Sequence, residues 1–324
     1  MPPLPRAAPR VTRRALLGVP LAAVLAGCAA APDYPAGQLR IATGGQGGVY
    51  VAYGNGIAAA VRARLTGLTP EVLLTAASIE NLRLVAAGQA ELGFSLADSA
   101  GLAHFGKPPF DRELPVAALG RLYDNYLHLV VRPDRPRSTP DELRGASVSI
   151  GASGSGTELT ATRLLAVAGI DVNRDLRASK LGVEESAAAL AAGTLDAFFF
   201  SGGIPTAAIE TLAGQRRIRL MDLGASVPAL RGGYGEVYAE RTIPASAYDL
   251  DAPVTTVGVP NYLVVATAMD ERLAYRLIET LFAERDLLAQ AHPEGRRLDR
   301  GSAINTYPLP LHPGAARYYR EAKR

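Results

Sequence analysis

The chain has 324 residues, 48% of them hydrophobic and 20% charged, with one cysteine and a formal charge of +3. A single cysteine excludes a disulfide framework, and past the N-terminal leader no apolar run is long enough to cross a bilayer as a helix.

Arg6, Arg10, Arg13 and Arg14 precede a small-residue apolar run from Ala15 to Ala26. This is the pattern of an export signal over residues 1–27, too short to span a membrane. The run ends Leu25-Ala26-Gly27-Cys28, which resembles the lipobox of bacterial lipoproteins, so Cys28 is expected to accept lipid and anchor the chain to the membrane. Thr12-Arg13-Arg14-Ala15-Leu16-Leu17 also resembles a twin-arginine export motif. Once the four leader arginines are removed, 30 cationic side chains face 31 anionic ones, a net charge of −1. The positive charge thus belongs to the leader and gives no reason to expect a nucleic-acid partner. Residues 28–37 read as a short tether. About 297 residues follow the leader, enough for two domains with real cores.

Leu39 to Ala42 is a short apolar strand that breaks at Thr43 into Gly44, Gly45, Gly47 and Gly48, then into a helix with Val49, Tyr50, Tyr53, Ile57 and Val61 at helical spacing. A glycine loop of this kind gathers backbone N–H groups at a helix start, where the dipole favours an anion. The dinucleotide pattern Gly-x-Gly-x-x-Gly fails here, because Tyr50 or Gln46 stands where glycine is needed. A plain strand-to-helix turn and an anion cradle both remain open at this point.

Strands and helices then alternate. A strand is expected at 71–76, a helix from Ser78 to Ala87, a strand at 91–96 and a helix from about Asp98. Ser78 and Asn81 mark one helix start, Ser95 and Asp98 the next. Ligands in open α/β sheets sit beyond the carboxyl ends of strands, so Thr43–Tyr50, Ser78–Asn81 and Ser95–Asp98 should face one crevice. Val116 to Arg132 is long and apolar, broken by Tyr123-Asp124-Asn125-Tyr126, and reads as a crossover into a second domain bounded by Pro133, Pro136 and Pro140.

The second domain repeats the logic. A strand at Ser147–Ile150 runs into Gly151-Ala152-Ser153-Gly154-Ser155-Gly156-Thr157-Glu158, and a helix is expected over Leu159–Ala168. The loop has the glycine spacing of a P-loop but carries Thr157 and Glu158 where lysine and a hydroxyl belong, and Ser155 spoils the nucleophile-elbow spacing around Ser153. What remains are hydroxyls and amides, which suit either a small carboxylate or simple helix capping. A strand at 176–180, an alanine-rich helix at Val183–Ala192 and a strand at 194–200 follow. That last strand ends in Ser201-Gly202-Gly203-Ile204-Pro205, a third loop. Glu184-Glu185 reads as a solvated first turn and Phe198–Phe200 as core. Residues 225–251 read as irregular, Pro253 to Thr267 as a second crossover, and Asp270–Leu288 as one amphipathic helix with Leu273, Leu277, Ile278, Leu281 and Phe282 on one face. His104, His128, His292 and His312 lie in unrelated segments, so neither a metal site nor a Ser–His–acid arrangement is expected.

Four motifs in order carry a resemblance. They are Thr43-Gly44-Gly45 through Gly48-Val49-Tyr50, then Ser78-Ile79-Glu80-Asn81-Leu82 with Gly88 and Glu91, then Gly151 to Glu158, then Leu311-His312-Pro313-Gly314-Ala315 with Tyr318-Tyr319. Together they resemble the TAXI family of TRAP-transporter solute receptors, over the whole chain after Gln38. One departure is Val51, where the family often has a second tyrosine. The resemblance implies an α/β periplasmic-binding-protein type II fold: two α/β lobes with a ligand cleft between them. Residues 38–130 with 254–324 would form one lobe and 131–253 the other. It also implies a small carboxylate ligand, an acidic amino acid or dicarboxylate or related organic acid, handed to a TRAP-type membrane permease, with no cofactor and no catalysis. A stand-alone sensor signalling to a membrane partner stays open. The ligand is expected at Thr43, Gly44, Gly45, Gly48, Val49, Tyr50, Ser78, Asn81, Ser95 and Asp98 from one side. From the other it is expected at Ser153, Ser155, Gly156, Thr157 and Ser201.

Overall fold

Alternating apolar residues build the first strand: Leu39 and Ile41, two apart, are both fully buried, in β1 (Gly37–Ala42). The computed structural model describes residues 1–4, 32–135 and 137–323. The apolar leader run and Cys28 fall outside the described residues. Residues 32–324 form one contact unit.

The first half runs β1, α1 (Val49–Arg64), β2 (Leu68–Leu73), α2 (Ser78–Ala86), β3 (Leu92–Leu96) and α3 (Ala97–His104). β1 pairs in parallel with both β2 and β3. The strand expected at 71–76 begins three residues earlier, with Pro70 inside it. β2 is the edge strand, where a proline removes no ladder bond that the sheet needs.

β4 (Val116–Val131) is one uninterrupted strand. The polar quartet Tyr123–Tyr126 was expected to break it and does not. Asp124 is held by Arg121 and Arg241, and Asn125 donates to Ser201 O (3.2 Å) and accepts from Asn261 (3.1 Å), so the polar groups are paired without leaving the sheet. The next elements are β5 (Ser147–Ser149), α4 (Gly156–Val167), α5 (Val172–Asp175), β6 (Arg177–Ser179), α6 (Val183–Ala192), β7 (Ala197–Gly202), α7 (Ala207–Gln215) and β8 (Arg219–Leu220). α4 starts a turn before the expected Leu159, because Ser155 caps it by accepting the Glu158 amide at 3.0 Å.

Residues 225–251 are not irregular. They hold α8 (Val227–Tyr234) and β9 (Ala239–Ile243), and β9 pairs antiparallel with β10 (Val254–Ala266). The helix expected over 270–288 is two, α9 (Glu271–Ala283) and α10 (Arg285–Ala291), parted at Glu284, whose carboxylate lies 2.6 Å from Arg64. α11 (Arg300–Ala303) and α12 (Pro313–Glu321) close the chain.

The sheet order is β2-β1-β3-β10-β4-β7-β5-β6, with β8 on β4 and β9 on β10. The two long strands β4 and β10 pair antiparallel at its centre, and parallel strands flank them on either side. One core packs α1 and the Leu273, Leu277, Leu281 stripe of α9 against β1. A second places Leu82, Val85 and Leu164 against the β4 and β5 side chains, and a third surrounds Phe198 with Leu190 and Leu212. This arrangement puts the carboxyl ends of β1, β2, β5, β6 and β7, and the helix starts that follow them, at one place.

Candidate functional site

A cavity of about 80 Å³ opens there. Four helices begin on its wall. Gly44, Gly45, Gly48, Val49 and Tyr50 bring the start of α1, and Thr75 to Ala77 bring α2. Gly151, Ala152, Ser155 and Thr157 bring α4, while Leu181, Gly182 and Val183 bring α6. Phe200, Ser201 and Gly202, the end of β7, complete it. Four positive helix poles thus converge on one small space, which suits an anion. No side chain on this wall carries a charge.

The local sequence explains the convergence. Gly48 and Gly182 precede α1 and α6 with extended backbone and no side chain to cap the exposed amides. Gly151 and Gly154 have φ of +99° and +79°, a region that favours glycine, and the turn they make returns the chain to α4. Gly156 allows close approach: a Cβ there would stand 2.5 Å from Ser78 Oγ and 2.7 Å from Leu96 Cδ1.

Of the residues expected at the ligand, Gly44, Gly45, Gly48, Val49, Tyr50, Ser155, Thr157 and Ser201 line the cavity. The others stand behind or beside the wall, and their hydrogen bonds say why. Thr43 donates to Leu73 O (2.7 Å), and Asn81 donates to Thr43 O (2.7 Å) and Phe94 O (2.9 Å) while accepting from Thr75 (2.6 Å). They tie the β1 and β2 loops together. Ser78 accepts the Leu96 amide at 3.1 Å, and Ser95 donates to Leu96 O at 3.0 Å. Asp98 is saturated by Ser99, Thr160 and Tyr238. Ser153 faces a separate groove beside Arg83, Pro109 and Glu158, and Gly156 packs on Ser78.

The hydroxyls on the wall differ in availability. Ser155 already accepts the Glu158 amide and Thr157 the Ser201 amide (3.0 Å). The Ser201 hydroxyl and the Tyr50 hydroxyl are buried and have no partner among the described residues. Burial pushes the Tyr50 phenol above its ordinary range, so it stays a neutral donor. Among the described residues no three His, Cys, Asp or Glu side chains gather as metal ligands do.

Leu181, Gly182, Val183 and Phe200 were not expected here. The 181–183 segment repeats the strand-end, glycine, helix-start signal, but the acids at 184–185 drew attention to solvent. Phe198 and Phe199 are core as expected, whereas Phe200 sits where β7 reaches the cavity.

These features define a class by its fold: α/β of the periplasmic-binding-protein type II kind, with a mixed sheet and helices packed on it. Two solved structures share this fold. A protein of Bordetella bronchiseptica RB50 matches with a TM-score of 0.51 at 19% identity, over 85% of this chain and 83% of that one. An ancestral arginine-binding protein bound to arginine matches with a TM-score of 0.50 at 11% identity, over 80% of this chain and 97% of that one. The periplasmic aliphatic sulphonate binding protein SsuA of Escherichia coli gives 0.49 at 17% identity, over 88% and 83%. The chain belongs to the NMT1-like family, which matches residues 41–322. No helix among the described residues is long and apolar enough to cross a membrane.

Proposed function

We propose that this protein is an extracytoplasmic solute-binding receptor that captures a small carboxylate and delivers it to a TRAP-type membrane permease, as a TAXI-family receptor would. The observation that carries the reading is the cavity walled by four helix N-termini with no charged side chain among them. Backbone amides and helix poles are pre-oriented for an anion and cost no reorganisation when it arrives.

In this reading residues 38–130 with 254–324 act as one lobe and 131–253 as the other, hinged on β4 and β10. The α1 and α2 walls belong to the first lobe, and the α4, α6 and β7 walls to the second. A ligand touching both favours the closed arrangement over an open one, and that difference in affinity drives closure. Cys28 would carry the lipid that keeps the receptor at the outer face of the membrane, after export through the twin-arginine signal.

The test is mass spectrometry of whatever co-purifies with the protein, followed by thermal unfolding against a panel of carboxylates. A ligand stabilises by RT ln(1 + [L]/Kd), so one at a hundred times its Kd adds about 2.7 kcal/mol. If no carboxylate raises the unfolding temperature, the reading is wrong.

A further inference from the structure

We infer, resting on the carboxylate-receptor reading, that the cavity selects a small monocarboxylate with an apolar body. The carboxylate sits on the start of α1, and the cavity rejects both an ammonium group and a second carboxylate.

The four helix starts are not equivalent. α2, α4 and α6 each carry a glutamate in the first turn that already bonds a nearby amide. Glu80 accepts from Ala76 N (2.5 Å), Glu158 from Gly154 N (2.7 Å) and Glu185 from Gly182 N (3.0 Å). Each of these poles is therefore met by a negative charge of the protein's own. α1 is different. It is sixteen residues long, its first turn holds no acid, and its N-cap Gly48 offers no side chain. The Glu184 side chain of α6 stands beside Gly47, just ahead of that cap, but no acid of α1 itself bonds its amides, so its start is the one left for a ligand.

A second observation points the same way. Ser201 lines the cavity and is only 7% exposed, and its Oγ is buried with no hydrogen-bond partner among the described residues. The Tyr50 hydroxyl, in the first turn of α1, is turned instead towards the Ser78, Asn125 and Asn261 side chains. Buried hydroxyls are ordinarily satisfied, so the unpartnered Ser201 hydroxyl at a cavity-lining residue marks where a ligand supplies a partner.

Beyond Thr75, Ser155 and Thr157, whose oxygens are already bonded within the protein, the remaining side chains of the wall are hydrocarbon. Ala76, Ala77, Ala152, Leu181, Val183 and Phe200 offer methyl, isobutyl, isopropyl and phenyl groups. An ammonium group there would face the open start of α1 and no carboxylate on the cavity wall. A second carboxylate would face apolar side chains and no cation. Either charge would be buried without a counter-charge, which is costly. At about 80 Å³ the cavity admits several waters and so suits a small acid.

Calorimetric titration of the purified full chain tests this with 3-methylbutanoate, its primary amide, valine, glutarate and glutamate. Valine adds only an ammonium group to 3-methylbutanoate, and glutarate exchanges a branch for a second carboxylate. We expect 3-methylbutanoate to bind at least tenfold more tightly than each of the other four. Valine, glutarate or glutamate binding as tightly overturns the inference and leaves the carboxylate-receptor reading standing. Failure of every carboxylate to bind, or equal binding of the amide, overturns both. Val49→Pro tests the seat itself. Position 49 is the first of α1, where proline fits, and Gly48 has the extended backbone that proline requires before it, so the change deletes one amide donor. Relative to Val49→Ala, Val49→Pro should lose at least tenfold in 3-methylbutanoate affinity. Equal affinity in the two variants overturns the placement on α1.

Discussion

Thr160 on α4 donates its hydroxyl to the Asp98 carboxylate on α3 across 2.9 Å, and Tyr238 reaches the same oxygen across 3.0 Å. The other oxygen of Asp98 accepts from the amide and hydroxyl of Ser99, and Arg163 stands 3.9 Å away. This carboxylate is wholly inside the protein, and it ties together elements that the proposed lobes would separate. Asp98→Ala leaves the Arg163 charge and four donors facing a void. It should cost about 3–5 kcal/mol of stability in urea unfolding, the range for removing one member of a buried charged set. Thr160→Val removes one donor and should cost about 1–2 kcal/mol. If Asp98 instead served the ligand, Asp98→Ala would lower affinity with little change in the unfolding midpoint.

Acid should weaken the fold through His128. This ring is fully buried in β4, between the carbonyls of Tyr126 and Phe200 and the Tyr248 hydroxyl, and burial pushes its pKa down to about 4 from the usual 6.5. Between those values the unfolded chain holds a proton that the folded chain does not. Stability from this residue is therefore present above pH 6.5 and lost as pH falls towards 4, by on the order of 3 kcal/mol. Burial lowers His292 and His312 as well, in the same sense, while it raises Glu294 and so opposes them. Urea midpoints at pH 7 and pH 4.5 should differ less in His128→Gln than in the unaltered protein. An unchanged difference would show that other groups carry the acid sensitivity.

Ser201→Ala should separate affinity from stability. The Ser201 amide donates to Thr157 and its carbonyl accepts from Asn125, so the backbone is held without the hydroxyl. Removing an unpartnered buried hydroxyl should leave the unliganded protein as stable or slightly more so. The same change should weaken a bound carboxylate by about 1.5–3 kcal/mol, roughly ten- to hundredfold in Kd, if the hydroxyl donates to the anion. Loss of stability without loss of affinity would assign Ser201 to the core.

Where a residue type and its backbone setting carried the same message, the sequence was enough. Gly44, Gly45 and Gly48 before Val49, and Gly151 ahead of Ser155, announced helix starts and line the cavity. The alternation of strands and helices announced the sheet. What escaped were relationships between distant segments. Asn81 and Asp98 are polar residues at helix starts, like true ligand contacts, but their partners are Thr43, Phe94, Thr160 and Tyr238, from thirteen to 140 positions away. Nothing local distinguishes a buried tie from a binding group. The polar run Tyr123–Tyr126 looked like a break for the same reason, since Asn261 and Arg241, which satisfy it, lie far along the chain. Phe200 is a matter of phase: only its position at the end of β7 separates it from Phe198 and Phe199.

Gly156 sits at the closest approach between the start of α4 and the start of α2, and it offers the sharpest mechanical test. An alanine Cβ there would lie 2.5 Å from Ser78 Oγ, 2.7 Å from Leu96 Cδ1 and 3.0 Å from Ser78 Cβ. Ser78 cannot swing away freely, because its oxygen accepts the Leu96 amide that joins β3 to α3. The added methyl must therefore push α4 from α2, across the proposed cleft. Gly156→Ala should cost about 1–3 kcal/mol in urea unfolding, the usual range for overpacking, and should weaken any ligand that touches both walls. Gly214→Ala is the control. It lies inside α7, an added Cβ meets nothing within 4 Å, and helix propensity predicts a gain of about 0.5–1 kcal/mol. Opposite signs in the two variants would locate the effect in the contact between α4 and α2. A neutral Gly156→Ala with unchanged affinity would mean that the two helix starts part without consequence for binding.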